Sequence, residues 1–237
     1  MLRIEHLTKK YGQKTAVEDL SLHIRPGEIY GFIGHNGAGK TTTLKSVAGI
    51  QPFDSGEIFI NSLSIRENAL ACKQITAYIP DNPDLYDYMT GAQYLGFIAD
   101  IFAIGAAKRT TAIAHYTELF GISENLPQLI GAYSHGMKQK LALTGALIHE
   151  PRLIIMDEPF VGLDPSASHA LKGIMREFCN CGGAIFFSTH VLDVAEKLCD
   201  KVAIIRSGKL IRTGRMEEIV QDSSLENVFL EFQEDQK

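Results

Sequence analysis

The sequence predicts an α/β fold, a largely parallel sheet flanked by helices, with an N-terminal antiparallel β subdomain and an inserted helical subdomain. Three observations carry this. Short apolar runs alternate with helical patterns along most of the chain. The alternation stops between Thr90 and Glu150, where helical stretches follow one another with no strand pattern between them. A glycine-rich segment, Gly34–Thr42, separates an apolar run from a helix-prone one, the order in which a strand delivers a loop to a helix N-terminus.

The elements follow in chain order. Leu2–Leu7, Ala16–Ile24, Glu28–Ile33 and Glu57–Ile60 read as strands, punctuated by turns at Pro26-Gly27 and Asp54–Gly56. Thr42–Ala48 is helix-prone, and Ala92–Ile104, Ala106–Phe120 and Gly136–His149 have helical patterns. Strands return at Leu153–Met156, Ala184–Phe187 and Lys201–Ile205. One domain is expected over 1–237. Its α/β core is formed by 1–85 and 151–223, its helical subdomain by 86–150 and its tail by 224–237. The acidic end, Glu231–Lys237, is expected to fray.

Bulk properties narrow the class. With 45% hydrophobic residues the 237-residue chain can bury a large core. Its net charge of −5 argues against a nucleic-acid partner, which would require a basic face. No run approaches the roughly 20 apolar residues of a membrane helix. Met1 leads straight into a strand-like segment, so no signal peptide is expected. Cys72, Cys179, Cys181 and Cys199 fit a reducing compartment. Cys179-Asn180-Cys181 is poor zinc spacing and reads as a helix end running into Gly182-Gly183.

The chemistry begins at Gly34-His35-Asn36-Gly37-Ala38-Gly39-Lys40-Thr41-Thr42, which satisfies the phosphate-loop pattern G-x-x-x-x-G-K-S/T. Glycines let backbone N–H groups converge on oxygen anions, and the helix dipole adds positive potential. Lys40 is expected on the β- and γ-phosphates and Thr41 on Mg²⁺. The predicted core is therefore a P-loop NTPase core. Leu153–Met156 then leads into Asp157 and Glu158. Adjacent strand residues point opposite ways, so the two carboxylates should have different roles. Asp157 suits the Mg²⁺ shell opposite Thr41, and Glu158 a water in line with the γ-phosphate. Acidic strand caps are the plain alternative. Ser134, in Tyr133–Lys140, can cap the helix that follows. A serine and a glycine at a helix N-terminus also make an anion site, which this chain needs only if a second chain supplies the nucleotide.

Taken in order, the P-loop, Ser134–Gln139, Asp157-Glu158, the turn Gly162–Pro165 and Ser188-Thr189-His190 resemble the ATP-binding subunits of ABC transporters over nearly the whole chain. The resemblance implies further roles. Tyr11 would stack on adenine, although a strand-end tyrosine needs no such role. Ser134 and Gly136 would contact the γ-phosphate of ATP held by an opposing subunit, in a homodimer or a heterodimer with a second ATPase subunit. Asp164 would link the two sites as well as cap the helix at Pro165, and His190 would clamp the γ-phosphate and attacking water. ATP and Mg²⁺ are the implied cofactors. An integral-membrane permease is the implied partner, contacted by the helical subdomain and Asp81–Tyr88, with the chain held peripherally at the cytoplasmic face of the cell membrane.

Two departures mark this chain. His135 and Met137 stand where the family commonly has a glycine and a glutamine, a version that resembles the exporter-type branch with separately encoded permeases. Asp81 stands where the family usually has a glutamine that senses the metal. It is shorter, charged and an acceptor only, and it is expected to keep a metal contact. The tail Ser224–Glu231 resembles that of the exporter-type branch and leaves no room for the regulatory domain of many importer ATPases, so export is the expected direction. The rival readings are a soluble ABC ATPase acting on ribosomes or DNA, a P-loop kinase, and a non-hydrolysing regulatory subunit.

Overall fold

The computed structural model describes residues 1–221 and 223–234. The α/β class, the antiparallel N-terminal sheet and the parallel core are all observed. The first sheet, in order β2-β1-β4-β5, contains β1 (Leu2–Tyr11), β2 (Lys14–Ile24), β4 (Ser55–Ile60) and β5 (Leu63–Ser64), all antiparallel. In the second, β6 (Thr76–Ile79), β7 (Leu153–Asp157), β8 (Ala184–Thr189), β3 (Ile29–Ile33) and β9 (Lys201–Arg206) run parallel. An antiparallel edge strand, β10 (Lys209–Arg215), completes it.

Burial explains the difference between the sheets. Every residue of β3, β7 and β8 is buried, as expected for parallel strands covered on both faces. Alternate residues of these strands feed two separate cores. Tyr30, Phe32, Ile155 and Phe186 pack towards the antiparallel sheet, whereas Ile33, Met156, Ile185 and Phe187 pack towards the helical side. In β1, Leu2 and Ile4 point inwards in step, but Leu7 is one residue out of phase. A bulge at His6 (φ 52°), opposite Asp19 (φ 51°), resets the register so that Leu7 and Leu20 are both buried.

Helices α1 (Lys40–Val47) and α2 (Ala69–Gln74) lie between strands of the first half. Between the paired strands β6 and β7 the chain makes α3 (Gly91–Ile101), α4 (Ala106–Leu119) and α5 (His135–Leu147). Thr90 and Gln93 form a reciprocal capping box at the start of α3. That helix ends three residues before the expected Ile104. Ala103 adopts φ 52°, and the N–H groups of Ala103 and Ile104 turn back to Asp100 O (3.0 Å) and Ala99 O (2.8 Å). This Schellman closure stops the helix although the apolar pattern continues.

The remaining helices are α6 (Pro165–Asn180), α7 (Leu192–Leu198), α8 (Met216–Val220) and α9 (Leu225–Glu234). Cys181 follows the end of α6, as its helix-end reading requires. Fraying from Glu231 is corrected, because α9 continues to Glu234 on a base whose Leu225 and Val228 are buried. Residues 235–237 of that expectation lie outside the described residues. Strands β6 and β10, like the two-residue β5, escaped the sequence reading. Strand β6 has four residues, and β10 alternates polar residues at an edge. The signal for β10 is Ser207-Gly208, whose φ values of 49° and 80° make the two-residue turn that right-twisted hairpins favour. Among the described residues, no helix is long and apolar enough to cross a membrane.

Candidate functional site

A cavity of about 500 Å³ opens at the carboxyl ends of the parallel strands, where the loop after β3 meets α1. The loop conformation requires glycine at its two ends. A side chain at Gly34 would place Cβ 2.5 Å from Ile205 O, and one at Gly39 (φ 111°) would lie 2.6 Å from Ala16 O. Gly39 is also the N-cap of α1, so that helix has no side-chain cap, and its first turn holds no carboxylate. Its N-terminal partial charge is left for an anion. Lys40 is buried, its Nζ folded back to donate to Gly34 O at 2.6 Å and lying 3.5 Å from Glu158 Oε1.

The opposite wall is built by β7 and β8. Asp157, 3% exposed, accepts a hydrogen bond from Ser188 Oγ, which itself accepts from Glu158 N at 3.0 Å. Both carboxylates face the same cavity, which corrects the strand-alternation argument. Glu158 has left strand geometry, with φ 47°, an uncommon conformation for a residue with a side chain. The two carboxylates nonetheless have different partners. Glu158 Oε2 meets His190 Nδ1 at 2.9 Å and accepts from His190 N at 3.3 Å, while Oε1 faces Lys40. Oε1 is buried and lacks a hydrogen bond of its own. An acceptor in that condition fits a water or a ligand donor beside the lysine.

Of the sequence-predicted residues, Tyr11, His35, Asn36, Gly37, Gly39, Lys40, Thr41, Thr42, Asp81, Asp157 and Glu158 line this cavity. Gly34 and Ala38 do not line it, and a Cβ at Gly34 would lie 3.1 Å from that of Ala38. His190 reaches it through Glu158. Tyr11 is 50% exposed and donates to Gln51 Oε1 at 2.6 Å, leaving its ring at the mouth. Thr41, Asp81 and Asp157 line the same cavity with a hydroxyl and two carboxylates. That partial set of hard oxygen donors fits Mg²⁺, which commonly keeps waters and takes phosphate oxygens for its remaining positions.

Ser134, Gly136 and Asp164 do not line the cavity. They form a separate corner where α5 meets α6. Ser134 Oγ accepts from Met137 N at 3.3 Å, capping α5 as expected. A Cβ at Gly136 would lie 2.6 Å from Gly162 O. Asp164 caps α6 by accepting from Ala167 N at 2.8 Å and pairs with Lys140 Nζ at 2.7 Å. The Lys140 hydrogen bond, then that of the Ala167 N–H, hold its carboxyl below the usual range.

Sequence reasoning missed several contributors. Lys14, Thr15 and Ala16 of the β1–β2 hairpin, and Ser207 and Gly208 of the β9–β10 turn, complete the lining. Gly208 N donates to Ala38 O at 2.9 Å, and Glu18 N to Gly208 O at 2.8 Å, so this turn ties the first sheet to the phosphate loop. A Cβ at Gly208 would meet Ala16 O at 2.8 Å. Only the Ser-Gly dipeptide could have signalled it. Tyr78 of β6 stands behind the wall. Its hydroxyl is buried without a partner, and burial, then Asp157 and Asp81, push its pKa up.

Comparison with known proteins adds an independent line. The family described as ABC transporter matches residues 17–161. The ABC transporter ATP-binding protein YxlF of Bacillus subtilis (strain 168) is 38% identical over 97% of this chain and 75% of its own length. The Nod factor export ATP-binding protein I of Paraburkholderia xenovorans (strain LB400) is 33% identical over 90% of this chain and 70% of its own. A solved ATP-binding subunit of an ABC transporter superposes with a TM-score of 0.94 at 32% identity. The alignment covers 99% of this chain and 100% of that one.

Proposed function

The chain belongs to the ABC transporter family as an ATP-binding subunit, and from that premise we propose that it hydrolyses ATP to drive export through a separate integral-membrane permease. ATP would occupy the 500 Å³ cavity, its adenine on Tyr11 and its phosphates on the loop Gly34–Thr42. Thr41, Asp157 and Asp81 would hold Mg²⁺, which when bound neutralises charge on the phosphate oxygens.

The observation that carries the reading is the Lys40–Glu158–His190 set. Lys40 has Gly34 O and Glu158 as partners. An entering γ-phosphate competes for that ammonium and releases Glu158 Oε1, the buried oxygen without a hydrogen bond. Glu158 then accepts a hydrogen bond from water and takes its proton as the water oxygen bonds to the γ-phosphorus and the bond to the bridging β-phosphate oxygen breaks, leaving ADP and phosphate. His190, on the other carboxylate oxygen, holds Glu158 in orientation and faces the incoming water.

Ser134 and Gly136 lie outside the cavity of their own chain, so they would act on a nucleotide held by a second copy or a second ATPase subunit. ATP would then close a dimer, and phosphate release would open it. The name of the Nod factor export relative and the tail Ser224–Glu231 favour export. The permease would dock near Tyr86, Tyr88 and Phe97, which are 44%, 73% and 37% exposed and in ring contact around Tyr86. The chain would then sit at the cytoplasmic face of the membrane. The test is Glu158→Gln. Phosphate release should fall roughly 100-fold or more while light scattering shows an ATP-dependent dimer. Hydrolysis at the unmutated rate would remove Glu158 from the proposed role.

A further inference from the structure

Helix α9 touches the phosphate loop. Phe229 of α9 lies against His35, with ring centroids 4.8 Å apart and planes at 47°. The base of the loop is held by its own packing, through Gly34, Gly39 and the Lys40–Gly34 hydrogen bond. Its crest is different. His35, Asn36 and Gly37 are exposed, and a side chain at Gly37 would meet nothing within 4 Å. The His35 carbonyl accepts from Ala38 N at 3.1 Å and Lys40 Nζ at 3.4 Å, while its ring meets Phe229 outside the loop.

Helix α9 is well placed for this. Leu225 is fully buried, its N–H donates to Glu196 Oε2 of α7 at 2.8 Å, and Asn227 N donates to Ser224 Oγ at 3.2 Å. Helix α7 begins two residues after His190. One side of α9 therefore meets the phosphate loop, and another meets the helix that follows His190.

The geometry points to Phe229 as a positioning residue of the nucleotide site, whose ring seats His35, orders the crest of the phosphate loop and couples its occupancy to α9. An ordered crest costs less conformational entropy when phosphate binds, so loss of the ring should appear in nucleotide affinity. This rests on nucleotide binding at the cavity, as proposed above.

The test is calorimetric ADP binding by the full chain and by Phe229→Ala, Phe229→Tyr, His35→Ala and the Phe229→Ala/His35→Ala pair. An aromatic contact of this kind corresponds to about a 2- to 12-fold change in Kd. Phe229→Ala and His35→Ala should each weaken ADP binding within that range. The double variant should be no weaker than the weaker single, and Phe229→Tyr should bind as the unmutated chain does. Hydrogen exchange covers the case in which Phe229→Ala loosens α9. In the unmutated chain ADP should slow exchange over 225–234, and His35→Ala should abolish that protection. Additive losses, an unchanged Kd in Phe229→Ala, or an α9 insensitive to ADP would each overturn the inference. If the unmutated chain fails to bind ADP, the proposed function falls with it. If it binds while the variants are unaffected, only the coupling falls.

Discussion

The phosphate cavity and the Ser134–Asp164 corner are both built on helix N-termini, but the chain finishes them differently. At α1 the N-cap is Gly39, which offers no side-chain acceptor, and the lysine beside it is buried. At α5 and α6 the caps are Ser134 and Asp164, each accepting a backbone N–H of its own helix. An uncapped terminus still has donors and positive potential to give an anion. A capped one has satisfied part of its need and keeps less. Ser134 accepts through its oxygen and retains its O–H as a donor, so this corner can still offer one hydrogen bond to an anion brought from outside. The first region gathers its groups within one chain, and the second, in the proposed dimer, would serve a nucleotide held by a partner.

Three substitutions sharpen or break that contrast. The largest effect is expected at Lys40, which sits at the centre of the self-contained region. Lys40→Met removes the partner of Glu158 Oε1 and the ammonium that phosphate would take. ADP affinity should drop by about 30-fold or more, on the scale of truncating one partner of a buried charge pair. Calorimetric titration checks it, and retained affinity would mean that the loop backbone alone holds the phosphates.

An intermediate effect is expected at Gly136. A Cβ there would press on Gly162 O at 2.6 Å, a backbone atom that must move. Gly136→Ala should leave ADP binding within about twofold, yet weaken ATP-driven dimer formation by roughly tenfold, as overpacking at an interface would. Sedimentation of the Glu158→Gln background with and without Gly136→Ala separates the two. Equal losses in both assays would erase the distinction between the regions.

The smallest effect is expected at Asp164. Its carboxyl is held below the usual range by Lys140 and the Ala167 N–H. A depressed pKa stabilises the fold above the unfolded-state value, about 3.9, and that stability is lost as pH falls through the folded-state value. Asp164→Ala should therefore lower Tm slightly at pH 7, and the difference should shrink below about pH 4. A Tm gap that persists unchanged into acid would assign the loss to packing instead.

The candidate site was legible to the degree that its chemistry is contiguous. Gly34–Thr42 and Leu153–Glu158 each put a strand, a turn and their functional groups within a few residues, so pattern and chemistry coincide. The opposite-faces argument for Asp157 and Glu158 failed because it assumed that the strand continued, whereas Glu158 turns to φ 47° where β7 ends. The end of α3 was misplaced for a related reason. Ala103 closes the helix from a left-handed conformation that its residue type does not advertise. The Ser207-Gly208 brace was missed because a short turn in a polar edge hairpin has no chemistry of its own until Ala16 and Ala38 are seen against it.

The sequence by itself determined the α/β class, the phosphate loop, the carboxylate pair and the caps at Ser134 and Asp164. Each depends on backbone preferences and side-chain reach over one or two turns. Only the tertiary structure decided that Glu158 lies between Lys40 and His190, that Tyr78 stands behind Asp81 and Asp157, and that Phe229 meets His35. Those contacts join residues far apart in the chain, and their formation depends on sheet order and core packing, which no local pattern encodes.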